Sequence, residues 1–194
     1  MTRPIVNERI PEAEVDAIFT DRWSPRSFTD EPLTSGQTAA LFEAARWAPS
    51  CYNEQPWHFR YAVSIPDREL FAEALVEKNR EWAQHAPMLL FVLARKDFVQ
   101  TGKPNRHALF DAGAAWMSLA LQARRLGLYA HGMAGFSVEK AAEVMNVSLD
   151  EYEIMAAVAV GKRGDPASLA DDMAAVEKPN SRKPLTEVAG EGAM

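Results

Sequence analysis

Met88-Leu-Leu-Phe-Val-Leu-Ala94 is an unbroken apolar run directly after Pro87. At that length it suits a strand covered on both faces better than a helix. The second deciding stretch is 108–126, Ala-Leu-Phe-Asp-Ala-Gly-Ala-Ala-Trp-Met-Ser-Leu-Ala-Leu-Gln-Ala-Arg-Arg-Leu, apolar nearly all round. Its polar positions Asp111, Ser118, Gln122 and Arg125 fall on one narrow stripe, and Gly127 offers a C-cap. Such a helix is buried at the centre of a fold or packed against another subunit.

Working outward, Trp57, Phe59, Tyr61 and Val63 alternate with His58, Arg60 and Ala62, the period of a strand. Residues 154–160 read as a third buried strand, stopped by Gly161. Helices are expected over 11–19, with Val15, Ile18 and Phe19 on one face, and after the Thr34-Ser-Gly-Gln37 capping box, up to Pro49. Two more are expected around Leu70, Phe71, Ala74 and Leu75, and from Ser137 to Met145. Residues 129–136 read as a glycine loop. Residues 165–194 read as an irregular tail with one short helix near 169–176, long enough that it must pack on something. Strands and helices do not alternate strictly, so the expectation is a single α+β domain, 1–194, with a sheet flanked by helices.

The chain has 194 residues, with 21 Lys and Arg against 27 Asp and Glu, a net charge of −6. Hydrophobic residues make up 47% and charged residues 25%, which excludes a disordered or collagen-like chain. The acidic balance argues against nucleic acid and anionic membranes as partners. The N-terminal stretch has no long apolar core, and 112–123 is too short for ~30 Å of hydrocarbon, so neither a signal peptide nor a membrane anchor is expected. Cys51 is the only cysteine, which excludes an intrachain disulfide and makes a reducing cytoplasm the expected location. His58, His85, His107 and His131 show no metal-ligand spacing, so no metal site is expected.

Four stretches could carry chemistry. Arg22, Ser24 and Arg26 share one side of an extended segment, because Pro25 forbids a helix there. Two guanidinium groups and a hydroxyl on one spot suit a phosphate; a solvated basic edge is the alternative. Pro49-Ser-Cys-Tyr-Asn-Glu-Gln-Pro-Trp57 has the composition of a stiffened binding loop, or of an ordinary turn. Cys51 within it invites a nucleophile reading, but no local pattern of a thiol enzyme surrounds it. In Tyr129-Ala-His-Gly-Met-Ala-Gly-Phe136 two glycines would let backbone approach a flat ligand, unless it is a plain loop. Arg182, in the tail, is either a second phosphate ligand or part of a solvated basic patch.

Together these stretches resemble the nitroreductase family of FMN-dependent NAD(P)H oxidoreductases. The resemblance rests on Arg22-x-Ser24-x-Arg26-x-Phe28 and Ala48-Pro-Ser-x-x-Asn53-x-Gln55-Pro-Trp57, then on the glycines before Phe136 and on Ser181-Arg182-x-Pro184. It implies a three-layer α+β fold with a central mixed or antiparallel sheet flanked by helices, and an intertwined homodimer with FMN at the subunit interface, the tail packing on the partner. It implies that Arg22 and Ser24 hold the FMN phosphate with Arg182 beside them, and that Trp23 belongs to the cofactor site. Arg26 would reach the ribityl chain or the pyrimidine side of the ring, and Asn79 its polar edge. Gly132, Met133, Ala134 and Gly135 would offer backbone towards N5, while Pro49, Ser50, Cys51 and Asn53 come from the other subunit. Tyr52, Trp82 and Phe136 would form an aromatic substrate slot, unless they are core residues.

The implied reaction is a two-step hydride transfer from NADH or NADPH to a nitroaromatic, a quinone or an activated alkene. It requires no side-chain nucleophile or general acid. An FMN carrier or sensor is the alternative function. The chain departs from the family pattern at Asn180, where many members have Lys, and at Ala134, where many have an acidic residue. It departs again at Trp82, where some have Lys.

Overall fold

A computed structural model describes residues 7–193. The first six residues of the charged N-terminal stretch, and Met194, lie outside the described residues. Strands β1 (Trp57–Ala62), β2 (Met88–Arg95), β3 (Tyr129–Met133) and β4 (Tyr152–Gly161) form one antiparallel sheet in the order β1-β2-β4-β3. The helices are α1 (Ala17–Asp21), α2 (Ser35–Arg46), α3 (Ile65–Ala72), α4 (Glu77–Ala83), α5 (Ala108–Arg125), α6 (Val138–Met145), α7 (Asp171–Ala174) and α8 (Leu185–Val188).

The apolar run at 88–94 is explained by two cores. Met88, Leu90, Val92 and Ala94 point into a cluster with Leu41 and Ala45 of α2 and with Ala112, Ala115 and Leu119 of α5. Leu89, Phe91 and Leu93 point the other way, among Phe71 of α3, Trp82 of α4 and Ala141 and Met145 of α6. Alternate side chains of one strand therefore enter opposite helical layers, and every position must be apolar. The result is helices, sheet, helices, with β1 and β3 at the edges.

Local signals act as expected at several ends. Thr34 and Gln37 form a complete capping box on α2, and Ser137 accepts from Lys140 N–H at the start of α6. Gly127 follows α5 with φ +74°, a left-handed conformation that side chains rarely adopt.

Three expectations need correction. The 129–136 stretch is not simply a loop. Its first five residues are β3, which pairs Tyr129 with Gly161 and Met133 with Ala157. A five-residue edge strand containing His131 and Gly132 shows too little alternation to be read as one. The helix expected over 11–19 is α1, shifted to Ala17–Asp21 and begun by Asp16, whose side chain accepts from Ile18 N–H. Val15 and Phe19 are exposed, so that segment has no buried face to extend it. The helix expected around 70–75 begins earlier, because Ser64 caps it, and a separate α4 follows.

Candidate functional site

The segment from Arg22 to Phe28 alternates as its sequence predicts. Trp23, Pro25 and Ser27 are buried, while Arg22, Ser24 and Arg26 are half-buried. It is fixed to the carboxyl end of β4. Phe28 bridges Arg163, Gly164 N–H donates to the Ser27 carbonyl (2.9 Å), and Thr29 N–H donates to that of Lys162 (3.0 Å). From β3, His131 Nδ1 lies 2.8 Å from the Pro25 carbonyl. A carbonyl only accepts, so Nδ1 carries the proton and Nε2 is bare in the neutral ring. Burial, with a smaller push from Arg26, lowers the His131 pKa to about 4, so the ring is neutral at pH 7.

Arg22, Ser24 and Arg26 open onto a cavity of about 420 Å³ that also receives Arg9, Trp23, His131, Lys178, Asn180 and Arg182. The resemblance puts Arg22, Ser24 and Arg182 at the phosphate and Arg26 at the ribityl chain or ring, and the fold brings all four to this cavity. Arg9 was missed, because a charged N-terminal stretch gives no sign of folding back. Its Nε and Nη2 donate to the Asn180 carbonyl (2.8 Å) and Oδ1 (3.1 Å). Its Nη1 donates to the carbonyls of Thr20 (2.9 Å) and Arg22 (2.7 Å). Arg9 thus ties the N-terminal stretch, the Arg22 segment and the tail together.

The electrostatics call for an anion. Among the described residues, five cationic side chains and no carboxylate line the cavity. Among the described residues none of the five forms an ion pair. Burial, then the charges of Arg182 and Arg22, lower the pKa of Arg9; burial and Arg182 do the same to Arg22. Among the described residues the buried Trp23 indole N–H has no hydrogen-bond partner. Clustered guanidinium forks with a hydroxyl are the donor set for a dianionic phosphate ester.

Asn79, on α4, donates from Nδ2 to the Gly135 carbonyl (3.0 Å), which also accepts from Val76 N–H (3.1 Å). A Cβ at position 135 would lie 2.6 Å from Asn79 Nδ2 and 2.9 Å from Val76 Cγ2, so this approach requires glycine. Gly132 and Met133 belong to β3, and the Ala134 carbonyl accepts from Phe136 N–H.

Neither Asn79 nor residues 132–135 line the cavity, and the remaining expected residues lie elsewhere as well. The 49–55 loop does not line the cavity. Cys51 N–H donates to the buried Asp111 Oδ2 on α5 (3.0 Å), and Gln55 N–H to Ser50 Oγ (3.0 Å). Tyr52, Asn53 and Gln55 all have positive φ, between 52° and 56°, which strains the loop. Tyr52 is 91% exposed and meets Phe98 edge-on. Trp82 is 3% exposed, between Phe28 and His131, and Phe136 packs on Phe91. Within one chain the three rings make separate contacts and no shared slot.

Among the described residues no helix is long and apolar enough to cross a membrane. The family model described as the nitroreductase family matches residues 19–75 and 60–162. A Streptomyces griseus protein named as a candidate NADH dehydrogenase/NAD(P)H nitroreductase is 28% identical over 175 residues, 80% of this chain and 88% of its own. The crystal structure of an oxidoreductase containing FMN superimposes with a TM-score of 0.92 at 43% identity, covering 98% of each chain. A candidate nitroreductase from Exiguobacterium sibiricum, in complex with FMN, matches in fold with a TM-score of 0.74 at 19% identity, over 93% of this chain and 98% of that one. The chain is an oxidoreductase that belongs to the nitroreductase family.

Proposed function

We propose that the chain binds FMN and uses NADH or NADPH to reduce a small organic acceptor such as a nitroaromatic, a quinone or an activated alkene, as a homodimer. The observation that carries this reading is the cationic cavity. Three arginines, from positions 9, 22 and 182, meet there with Ser24 and, among the described residues, with no carboxylate to neutralise them. Bound FMN would supply the capacity to accept and pass on a hydride; the protein supplies position, charge and exclusion of water.

Arg22, Ser24 and Arg182 would hold the phosphate, with Arg9 beside them. The Trp23 indole N–H is a further buried donor in need of an acceptor. Arg26, on the same side of the segment, would face the polyol chain or the polar edge of the ring, where a cation stabilises negative charge. Neutral His131 would present bare Nε2 to a hydroxyl donor. Asn79, tied to Gly135 through Nδ2, keeps Oδ1 for a ring N–H, and the Gly132–Gly135 backbone, which leaves the sheet edge after Met133, would face the ring beside it.

The homodimer is supported by what one chain leaves uncovered. Phe110, Gly113 and Met117 lie one and two turns apart on an exposed face of α5, and Phe110 is 78% exposed. Ile10, Val15, Phe19, Leu185 and Val188 line a groove of about 580 Å³ between the N-terminal stretch and the tail. A partner covering these surfaces would bring its own strained loop of Pro49, Ser50, Cys51 and Asn53, with Tyr52, towards the flavin. The tail from residue 177 to 185 meets its own chain first, through Arg9, Glu12, Arg26 and Ser27.

The test is the double variant Arg22→Ala with Arg182→Ala. Losing two charge-assisted contacts is expected to weaken FMN binding more than tenfold, with NAD(P)H-dependent acceptor reduction falling in step at limiting FMN. Unchanged FMN affinity would refute the phosphate assignment.

A further inference from the structure

Glu177 is 8% exposed, yet no arginine or lysine pairs with it among the described residues. Its charge is met by backbone and hydroxyl donors from a segment 150 residues away. Oε1 accepts from Arg26 N–H, Ser27 N–H and Ser27 Oγ, each at 2.8 Å, and Oε2 accepts from Arg26 N–H at 3.0 Å. Two successive amides pointing the same way form an anion-binding concavity. Here the protein fills that concavity with its own carboxylate.

The position of this contact matters more than its strength. On one side it fixes the backbone at Arg26 and Ser27, whose neighbours Ser24 and Arg26 open onto the cationic cavity. On the other it fixes the start of 177–182, the stretch that brings Lys178, Asn180 and Arg182 to the same cavity. The two halves of the cavity come from opposite ends of the sequence, so their spacing needs a tie. Arg9 ties the tail at Asn180; Glu177 ties it at the root.

We infer that Glu177 is a positioning residue for the phosphate end of the flavin. It touches no ligand, but it sets the Arg22–Ser24–Arg26 segment and Arg182 at the separation a phosphate ester requires. The inference rests on the FMN reading above and adds a residue to it.

Riboflavin separates positioning from simple structural support, because it has the ring and the ribityl chain but no phosphate. Dissociation constants of FMN and riboflavin would be measured by fluorescence titration of the full-length protein freed of cofactor. The proteins compared are wild type, Glu177→Ala, Glu177→Gln and Ser27→Ala. Glu177→Ala is expected to raise the FMN constant about tenfold or more and the riboflavin constant only a few-fold, through Arg26, so that the ratio of the riboflavin constant to the FMN constant falls. Glu177→Gln keeps the Oε1 acceptor but sets an amide N–H₂ against Arg26 N–H, so a few-fold loss for FMN, larger than that for riboflavin, is expected. Ser27→Ala, which removes one of the donors, is expected to fall at or below that.

Equal weakening of both ligands, no weakening, or tighter FMN binding from relieved repulsion would each overturn the inference. Should Glu177→Ala not fold, an unchanged ratio of the two constants in Glu177→Gln and Ser27→Ala overturns it as well. A wild type that binds riboflavin as tightly as FMN fails the phosphate reading itself, and that failure shows before any variant is compared.

Discussion

His131 makes the chain's stability depend on pH in a direction that can be worked out. In the unfolded chain its imidazole takes up a proton near pH 6.5; in the folded protein it does so only near pH 4. Between those values the unfolded state binds more protons, so stability is full above pH 6.5 and falls as pH drops towards 4. From pH 7.5 to 5.0 the loss amounts to at most about 2 kcal/mol, and water at the cavity mouth reduces it. Arg26 and Glu177 are the charged groups that act on the ring, the first lowering and the second raising its pKa.

His131→Asn keeps an N–H for the Pro25 carbonyl but cannot titrate. Urea unfolding of both proteins, at one protein concentration and at pH 7.5 and 5.0, isolates the histidine from the carboxylates that titrate in both. The wild type is expected to lose up to about 2 kcal/mol more than the variant over that interval. An equal loss in both proteins, or a larger one in the variant, would refute the buried neutral histidine and with it the bare Nε2 offered to the cavity.

Further outcomes follow from single contacts. Gly135→Ala forces a methyl against Asn79 and Val76 and is expected to destabilise by about 1–3 kcal/mol, measured by thermal unfolding, with weaker flavin binding. A melting temperature within a degree of wild type would show that the Asn79–Gly135 approach can relax. Asp111→Ala leaves Cys51 N–H without its acceptor and is expected to cost about 1–3 kcal/mol. It should open the strained 49–55 loop to limited proteolysis, and an unchanged cleavage pattern would contradict that support.

Much of the site was legible because it obeys short-range rules. Pro25 forces an extended segment, extension imposes a period of two, and so Arg22, Ser24 and Arg26 share a side. Those steps need no knowledge of the rest of the chain. The apolar run at 88–94 was equally plain, because a strand between two helical layers tolerates no polar position. What escaped depends on distant partners. Arg9 and Glu177 are ordinary charged residues until the fold sets one against Asn180 and the other against Ser27. His131 looked like part of a loop because β3 is short and at the sheet edge. Trp82 matched a ring-facing position in the sequence, yet its neighbours Phe28 and His131 enclose it within one chain. The 49–55 loop was recognised as stiffened, but its support from Asp111 joins α5 to it across 60 residues.

The most direct test of the central claim is the visible spectrum of the purified protein supplied with FMN, followed by NADH or NADPH without oxygen. The expected result is a yellow protein with flavin absorbance that bleaches on adding nicotinamide and recovers when a quinone or nitroaromatic is added. A protein that takes up no FMN would contradict the assignment of the cationic cavity; one that takes it up but never bleaches would contradict the proposed reaction and leave a flavin carrier in its place.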